Sequence, residues 1–311
     1  NLELVLGEAR FRGEAESRTP AGAKHALALK LDGDRLDVEG MAAFASLFVS
    51  DSGEARLAER DLELEIAAGP VSAAGLTAET IDTALRLKEG RLEIDRLAIG
   101  GLAGANVSAT ATLDRLSGPP AGEIDASIIA ADLAPLVAAL AGRFPENPLL
   151  AEAGRRVAAY PGLLADAEIS IEARAGDGAP GKAGLALDVS GEAGGTAFAL
   201  DATMSDPAAA PAASPVTLRL TAGNDDAAPL YALLGLPTLP LGLAGPAEAG
   251  MSFDGTMEGG GQAHFTFSGD DLNLVFKGEA GLASAGQTGA GLSASGEAFL
   301  ASGDLEPWLA A

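Results

Sequence analysis

Few residues in this chain have the type and spacing that catalysis needs. There are two histidines, His25 and His264, and no cysteine. Each histidine falls on the polar side of an alternating run, so a zinc site would need carboxylates gathered from distant segments. Gly176 to Lys182 spells G-x-x-x-x-G-K, the spacing of a phosphate-cradling loop. Ala183, however, stands where Mg²⁺ requires a hydroxyl, and the residues that follow alternate as a strand instead of opening a helix. Asp32, Asp34 and Asp37 have part of a calcium-loop spacing, but Leu36 occupies a ligand position and the required glycine is missing. No G-x-S-x-G occurs. Asn106-Val107-Ser108 is a formal glycosylation sequon of low specificity. These residues point to no catalysis, metal or cofactor, and a non-enzymatic protein is expected.

Alternation of apolar and polar residues dominates the chain instead. Leu2, Leu4 and Leu6 begin it, followed by Leu27, Leu29 and Leu31, then Leu62, Leu64 and Ile66. Ile81, Leu85 and Leu87 lead through Glu89-Gly90 into Leu92 and Ile94, and Val107 to Leu113 follow. Further runs start at Ile169, Leu185, Phe198, Val216 and Met251, with Phe265, Phe267, Leu272 and Leu274 near the end. Between them lie clusters of Gly, Asp, Asn and Pro, which is turn chemistry. The pattern predicts about fifteen strands, antiparallel because the connections are short. The intervening residues are Glu, Asp, Arg, Lys, Thr and Ser, so one face is apolar and the other wet. Such a sheet must bury its apolar face on something.

Long helices to cover that face are scarce. "EIDASIIAADLAPLVAALAG" (123–142) passes from a strand into a short helix, with Asp132 as N-cap, Pro135 in the first turn and Gly142 as the stop. The same wording returns at Asp226 with Pro229 and Leu230, stopped by Gly235, and at Asp304 with Pro307 and Trp308. A fainter copy runs from Asp37 to Met41, Phe44 and Phe48. Asn147-Pro148 opens a further helix with Leu149, Leu150, Ala153 and Val157 turned inward, broken at Tyr160-Pro161-Gly162. "SDPAAAPAASP" (205–215) lacks periodicity and is expected to be an exposed loop. The organisation expected is a β-rich repeat region over 1–142 with a helix at 133–141, a helical insertion with strands and the Pro/Ala loop over 143–215, and a second β-rich repeat region over 216–311.

The bulk composition narrows the options. The 311 residues are 48% hydrophobic but only 4% aromatic, with a formal charge of −24. An acidic surface repels nucleic-acid phosphates and anionic headgroups, so neither is an expected surface partner. Absence of cysteine fits both cytoplasm and a bacterial periplasm. No apolar run of about 18 residues exists to cross a membrane. The chain opens directly into a strand pattern and closes on a starting helix, so a piece of something longer is expected.

"TALRLKEGRLEIDRLAIGGLAGANVSATATLDRLSGPPAGEIDASIIAADLAPLVAALAG" (83–142) resembles the repeat region of AsmA-like proteins, the bacterial envelope family that includes TamB-type relatives. The shared features are the G-R-L-E-I-D-R-L strand, the returning V-S-A-T-A-T-L strand and the D-L-A-P-L helix start. The resemblance implies a mainly β protein: an elongated, curled antiparallel sheet, a β-groove punctuated by short capped helices. It further implies a periplasmic location, with an inner-membrane anchor in a segment outside this sequence. Its partners would be phospholipid acyl chains held in the groove, for transport or outer-membrane maintenance. Three inward residues span roughly 13 Å at about 3.3 Å per residue, close to one acyl chain's share of a bilayer core, about 15 Å. The candidate groove residues are Leu62, Leu64, Ile66, Leu85, Leu87, Leu92, Ile94, Phe265, Phe267, Leu272 and Leu274. The competing expectation is a structural β-sandwich or repeat scaffold, in which the same residues pack sheet on sheet and an edge strand binds a protein of the envelope.

Overall fold

The computed structural model describes residues 2–6, 9–18, 26–37, 61–73, 75–114, 121–176, 184–205, 213–235, 245–256, 258–269, 272–282 and 292–303. It is mainly β, and its contacts divide the chain into two compact units, Asn1–Ile129 and Ala130–Ala311.

The first unit contains β1 (Leu2–Leu6), β2 (Ala9–Arg18), β3 (Ala26–Gly33), β4 (Leu36–Asp37), β5 (Asp61–Ala68), β6 (Val71–Ala73) and β7 (Leu76–Ala78). It continues with β8 (Thr80–Lys88), β9 (Arg91–Leu102), β10 (Ala105–Leu113) and most of β11 (Gly122–Asp132). The second unit begins with two helices, α1 (Ala134–Arg143) and α2 (Pro148–Ala159). There follow β12 (Ala165–Ala175), β13 (Leu185–Ala193), β14 (Thr196–Met204), β15 (Pro215–Asn224) and α3 (Ala227–Leu234). It closes with β16 (Ala247–Thr256), β17 (Gly260–Ser268), β18 (Leu272–Leu282) and β19 (Leu292–Ser302).

Sixteen strands form one sheet in the order β1-β2-β3-β5-β8-β9-β10 and on through β11 to β19, without closing into a barrel. β4, β6 and β7 form a small separate sheet. Sequence neighbours pair because the turns between them suit hairpins. Glu89-Gly90 and Gly194-Gly195 both take positive φ, the backbone that a two-residue turn between right-twisted strands requires. The expected mostly antiparallel pairing holds, with two parallel exceptions. In the small sheet β4 runs parallel to β6. β3 and β5 run parallel, with Leu27 beside Leu62 and Leu31 beside Ile66. The connection of residues 34–60 is long enough for the crossover that a parallel pair demands.

The helices start as their caps dictate. Asp132 accepts from the Ala134 N–H at 2.9 Å, Asp226 from Ala228 at 2.9 Å, and Asn147 from Leu149 and Leu150 at 3.0 and 3.2 Å. α3 stops at Gly235, which takes the left-handed conformation at φ 73°. α1 does not stop at Gly142: it runs through to Arg143, whose charge suits the negative end of the helix. Nor does Leu149 turn inward; it is 61% exposed, while Val157 is buried. Asp37 lies in β4, and the rest of that faint helical copy, like Asp304 and Trp308, falls outside the described residues. So do Asp177 to Ala183 and His25.

Each unit has its own core, seated at one end of its apolar face. In the first, Leu36, Val71 and Ala78 of the small sheet pack on Phe11, Leu31, Ile66 and Ala68. In the second, Ala227, Leu230 and Tyr231 of α3 pack on Ala247, Phe267 and Leu272, with the Tyr231 and Phe267 rings 5.1 Å apart. Leucines and aromatics thus close the ends of the face where an element lies over them.

Candidate apolar binding face

Strand alternation decides which side chains share a face, and register decides whether they join across strands. In the first unit they join. Leu27, Leu62, Leu87, Leu92 and Leu113 occupy one row across five strands. Leu29, Leu64, Leu85, Ile94 and Ala111 occupy the next. In the second unit Ile171, Val189, Leu200, Leu220, Met251, Phe265, Phe276 and Ala298 form a single row from β12 to β19. The row beside it holds Phe198, Ala222, Ala249, Phe267, Leu274 and Leu300.

One irregularity preserves this order. Leu85 faces Ile94, yet Ala84 faces Arg96, so β9 carries an extra residue between them. The resulting bulge sends both Asp95 and Arg96 to the exposed side and keeps Ile94 and Leu97 on the apolar one. The displaced charges are used. Arg86 holds Asp95 through two hydrogen bonds of 2.6 and 2.5 Å, and Arg96 bridges Asp82 at 2.8 Å. The Arg86 hydrogen bond, assisted by its charge, lowers the Asp95 pKa against a small opposing cost of burial.

The candidate residues divide into two groups. Ile66, Phe267 and Leu272 are 5%, 2% and 2% exposed and belong to the roofed cores. Leu64 packs partly against the first core, and Phe265 and Leu274 against the second. Leu62, Leu85, Leu92 and Ile94 are half-buried and sit in neither of these two cores, and Leu87 beside them is 6% exposed. Leu200, Leu220, Met251 and Phe276 belong to runs whose alternation the sequence shows, and register joins them into one row; Leu97, between Thr83 and Ala109, was not among the candidates. Their signal is register, which a single strand does not reveal.

Cavities add a second feature. One depression, about 740 Å³, draws most of its lining from the polar face of β14 to β18, around Thr221, Gly250 and Thr266. Another, about 610 Å³, likewise draws most of its lining from the polar face, around Glu16, Glu63, Arg86 and Glu93 of β2, β5, β8 and β9. In each unit, among the described residues, most of the apolar row side chains are half-buried, and Leu27, Met251 and Leu300 are exposed.

Among the described residues no group of three or more His, Asp or Glu could hold a metal ion. His264 sits across from Ser252 and Lys277 in register. No described helix is long and apolar enough to cross a membrane. Comparison with protein-family models, with curated proteins and with solved structures finds no match to this chain.

Proposed function

We propose that the open apolar rows hold phospholipid acyl chains, and that the protein shields such chains during lipid transport or maintenance of the outer membrane. The observation that carries this reading is the cross-strand register. Leucine, isoleucine, valine, methionine and phenylalanine side chains line up over five strands in one unit and seven in the other, and among the described residues each unit's packed core lies toward one end of the face. Contiguous apolar surface of that extent is rare unless it binds something. An extended hydrocarbon chain suits it, because dispersion and the hydrophobic effect need area and no directional partner.

The resemblance to AsmA-like repeat regions supports the same reading, and a periplasmic location with an inner-membrane anchor in a segment outside this sequence is part of the proposal. The acidic surface complements it: with a charge of −24, the wet face avoids anionic membrane surfaces while the apolar face takes the tails. The test is extraction of the purified protein with organic solvent and mass spectrometry of the extract. Phospholipid in stoichiometric amount is the expected result. Lipid-free, stably folded protein would refute the proposal.

A sheet-packing scaffold is the second reading, and one observation favours it. The three-stranded sheet already packs face to face on part of the first unit's apolar rows. A scaffold of this kind would be folded and lipid-free in the same extraction.

A further inference from the structure

The wet face of the second unit carries an order of its own. Asp201, Arg219, Ser252, His264, Lys277 and Glu297 face one another in register across six strands, from β14 to β19. The middle four line a depression of about 440 Å³, whereas Asp201 and Glu297 do not. Ser252 and His264 are half-buried and Arg219 and Lys277 exposed, so two shorter side chains form the floor and two long cationic ones the walls. Basic residues are scarce in this chain, 20 against 44 acidic ones. Arg86, Arg91, Arg96, Arg155, Arg156 and Arg174 each bridge a carboxylate. Among the described residues Arg219 and Lys277 bridge none, although Asp201 and Glu297 stand directly across from them.

Strand spacing sets what fits between these cations. Arg219 and Lys277 are three strands apart, about 14 Å at about 4.8 Å per strand. A tetrahedral phosphate over Ser252 and His264 is within reach of both long side chains. Arginine offers a planar fork and lysine a mobile point charge, two ways of holding phosphate oxygens. The imidazole supplies an N–H donor in either protonation state. Charge sorts the ligand further, because two fixed cations match the roughly −1.5 to −2 of a phosphate monoester. In the adjoining row Thr217 faces Asp254, and both line the depression. A hydroxyl and a carboxylate there suit a ligand's own hydroxyl groups, and the carboxylate repels a second phosphate.

We infer that this depression binds a water-soluble phosphate monoester on a hydroxylated carrier, the class of polyol and sugar phosphates. The phosphate lies between Arg219 and Lys277 over His264, with the carrier's hydroxyls toward Thr217 and Asp254. The site is on the face opposite the apolar rows, so it stands or falls independently of the acyl-chain reading.

Calorimetric titration of the full chain with glycerol 3-phosphate at low salt tests the inference. Saturable binding of one ester per chain is expected. Arg219→Gln and Lys277→Gln should each weaken it about tenfold, the scale of one charge-assisted hydrogen bond. Arg174→Gln, which removes a bridged cation outside the depression, should leave the affinity unchanged. All three positions are exposed, and an unchanged thermal midpoint shows that each variant is folded. Absence of saturable binding, or equal weakening by Arg174→Gln, overturns the site. Inorganic phosphate binding as tightly as the ester overturns the hydroxylated carrier. Retention on phosphatidic acid vesicles, competed by the soluble ester, would reassign the phosphate to a lipid headgroup and overturn the water-soluble ligand.

Discussion

At the scale of single residues, Leu85 and Phe267 look alike in sequence and differ in what lies over them. Phe267 is 2% exposed beneath α3, whereas Leu85 is half-buried on the open rows. Phe267→Ala should therefore destabilise the second unit by about 3–5 kcal/mol, the usual cost of emptying a buried aromatic site. Leu85→Ala should cost about 1 kcal/mol, since only part of its area leaves water on folding. Urea unfolding of the two variants measures the difference, and similar costs would mean that Leu85 is ordinary core. Charge acts at this scale too. Because the Arg86 hydrogen bond holds the Asp95 pKa below the ordinary aspartate range, Asp95 contributes stability above its unfolded pKa. That contribution fades as pH falls through the lower folded value. Arg86→Gln should flatten this acid-side loss, and added salt should shrink it in the wild type, because both side chains are largely exposed. Unfolding midpoints measured at a series of acidic pH values check both effects.

At the scale of elements, the bulge in β9 and the caps of the helices set what the sheet can present. Deleting Arg96 would remove the extra residue and leave Leu92, Ile94, Leu97 and Ile99 in plain alternation on the apolar face, at the loss of the bridge to Asp82. Folded protein is expected from that deletion, as from an alanine at the same position, and aggregation of the deletion variant would contradict the register. Asp226→Ala should weaken α3 by about 1 kcal/mol, visible as a lowered unfolding midpoint of the second unit. Much at this scale was legible beforehand. The alternating runs at Leu27, Leu62, Leu185 and Phe198 are strands, and Asn147 and Asp226 cap helices as their spacing implies, whereas the N-cap of α1 is Leu133, one residue after Asp132, whose carboxylate still accepts from the Ala134 N–H. β2 was not legible, because in Phe11-Arg12-Gly13-Glu14-Ala15 only one of the inward positions carries a large side chain. β4, β6 and β7 are two or three residues long, too short for any period to show. The parallel pairing of β3 with β5 is set by contacts across residues 34–60, which local pattern does not encode.

At the scale of the whole molecule, composition and register converge. Sparse aromatics, 4% of residues, leave Ala, Gly, Leu and Val to form most of the apolar face. In the second unit that face passes from Phe265, Phe267 and Phe276 near α3 to paired glycines, Gly255 with Gly261 and Gly278 with Gly296. A side chain at Gly278 would collide with the Ser295 carbonyl oxygen of the neighbouring strand, so the backbones there approach too closely for anything larger. Gly278→Val should accordingly destabilise the second unit and lower its thermal unfolding midpoint. The candidate face was legible in the sequence as individual leucines and phenylalanines; its continuity across strands was not, because that depends on register.

Photo-crosslinking separates the two faces most directly. A benzophenone side chain placed in turn at Leu85, Ile94 and Met251 on the apolar rows, and at Asp82, Thr221 and Thr266 on the opposite face, would be irradiated in living bacteria carrying radiolabelled phosphate. Lipid adducts at the first three positions and none at the last three are the predicted result. Adducts absent from both faces, or equal on both, would contradict a lipid-bearing apolar face.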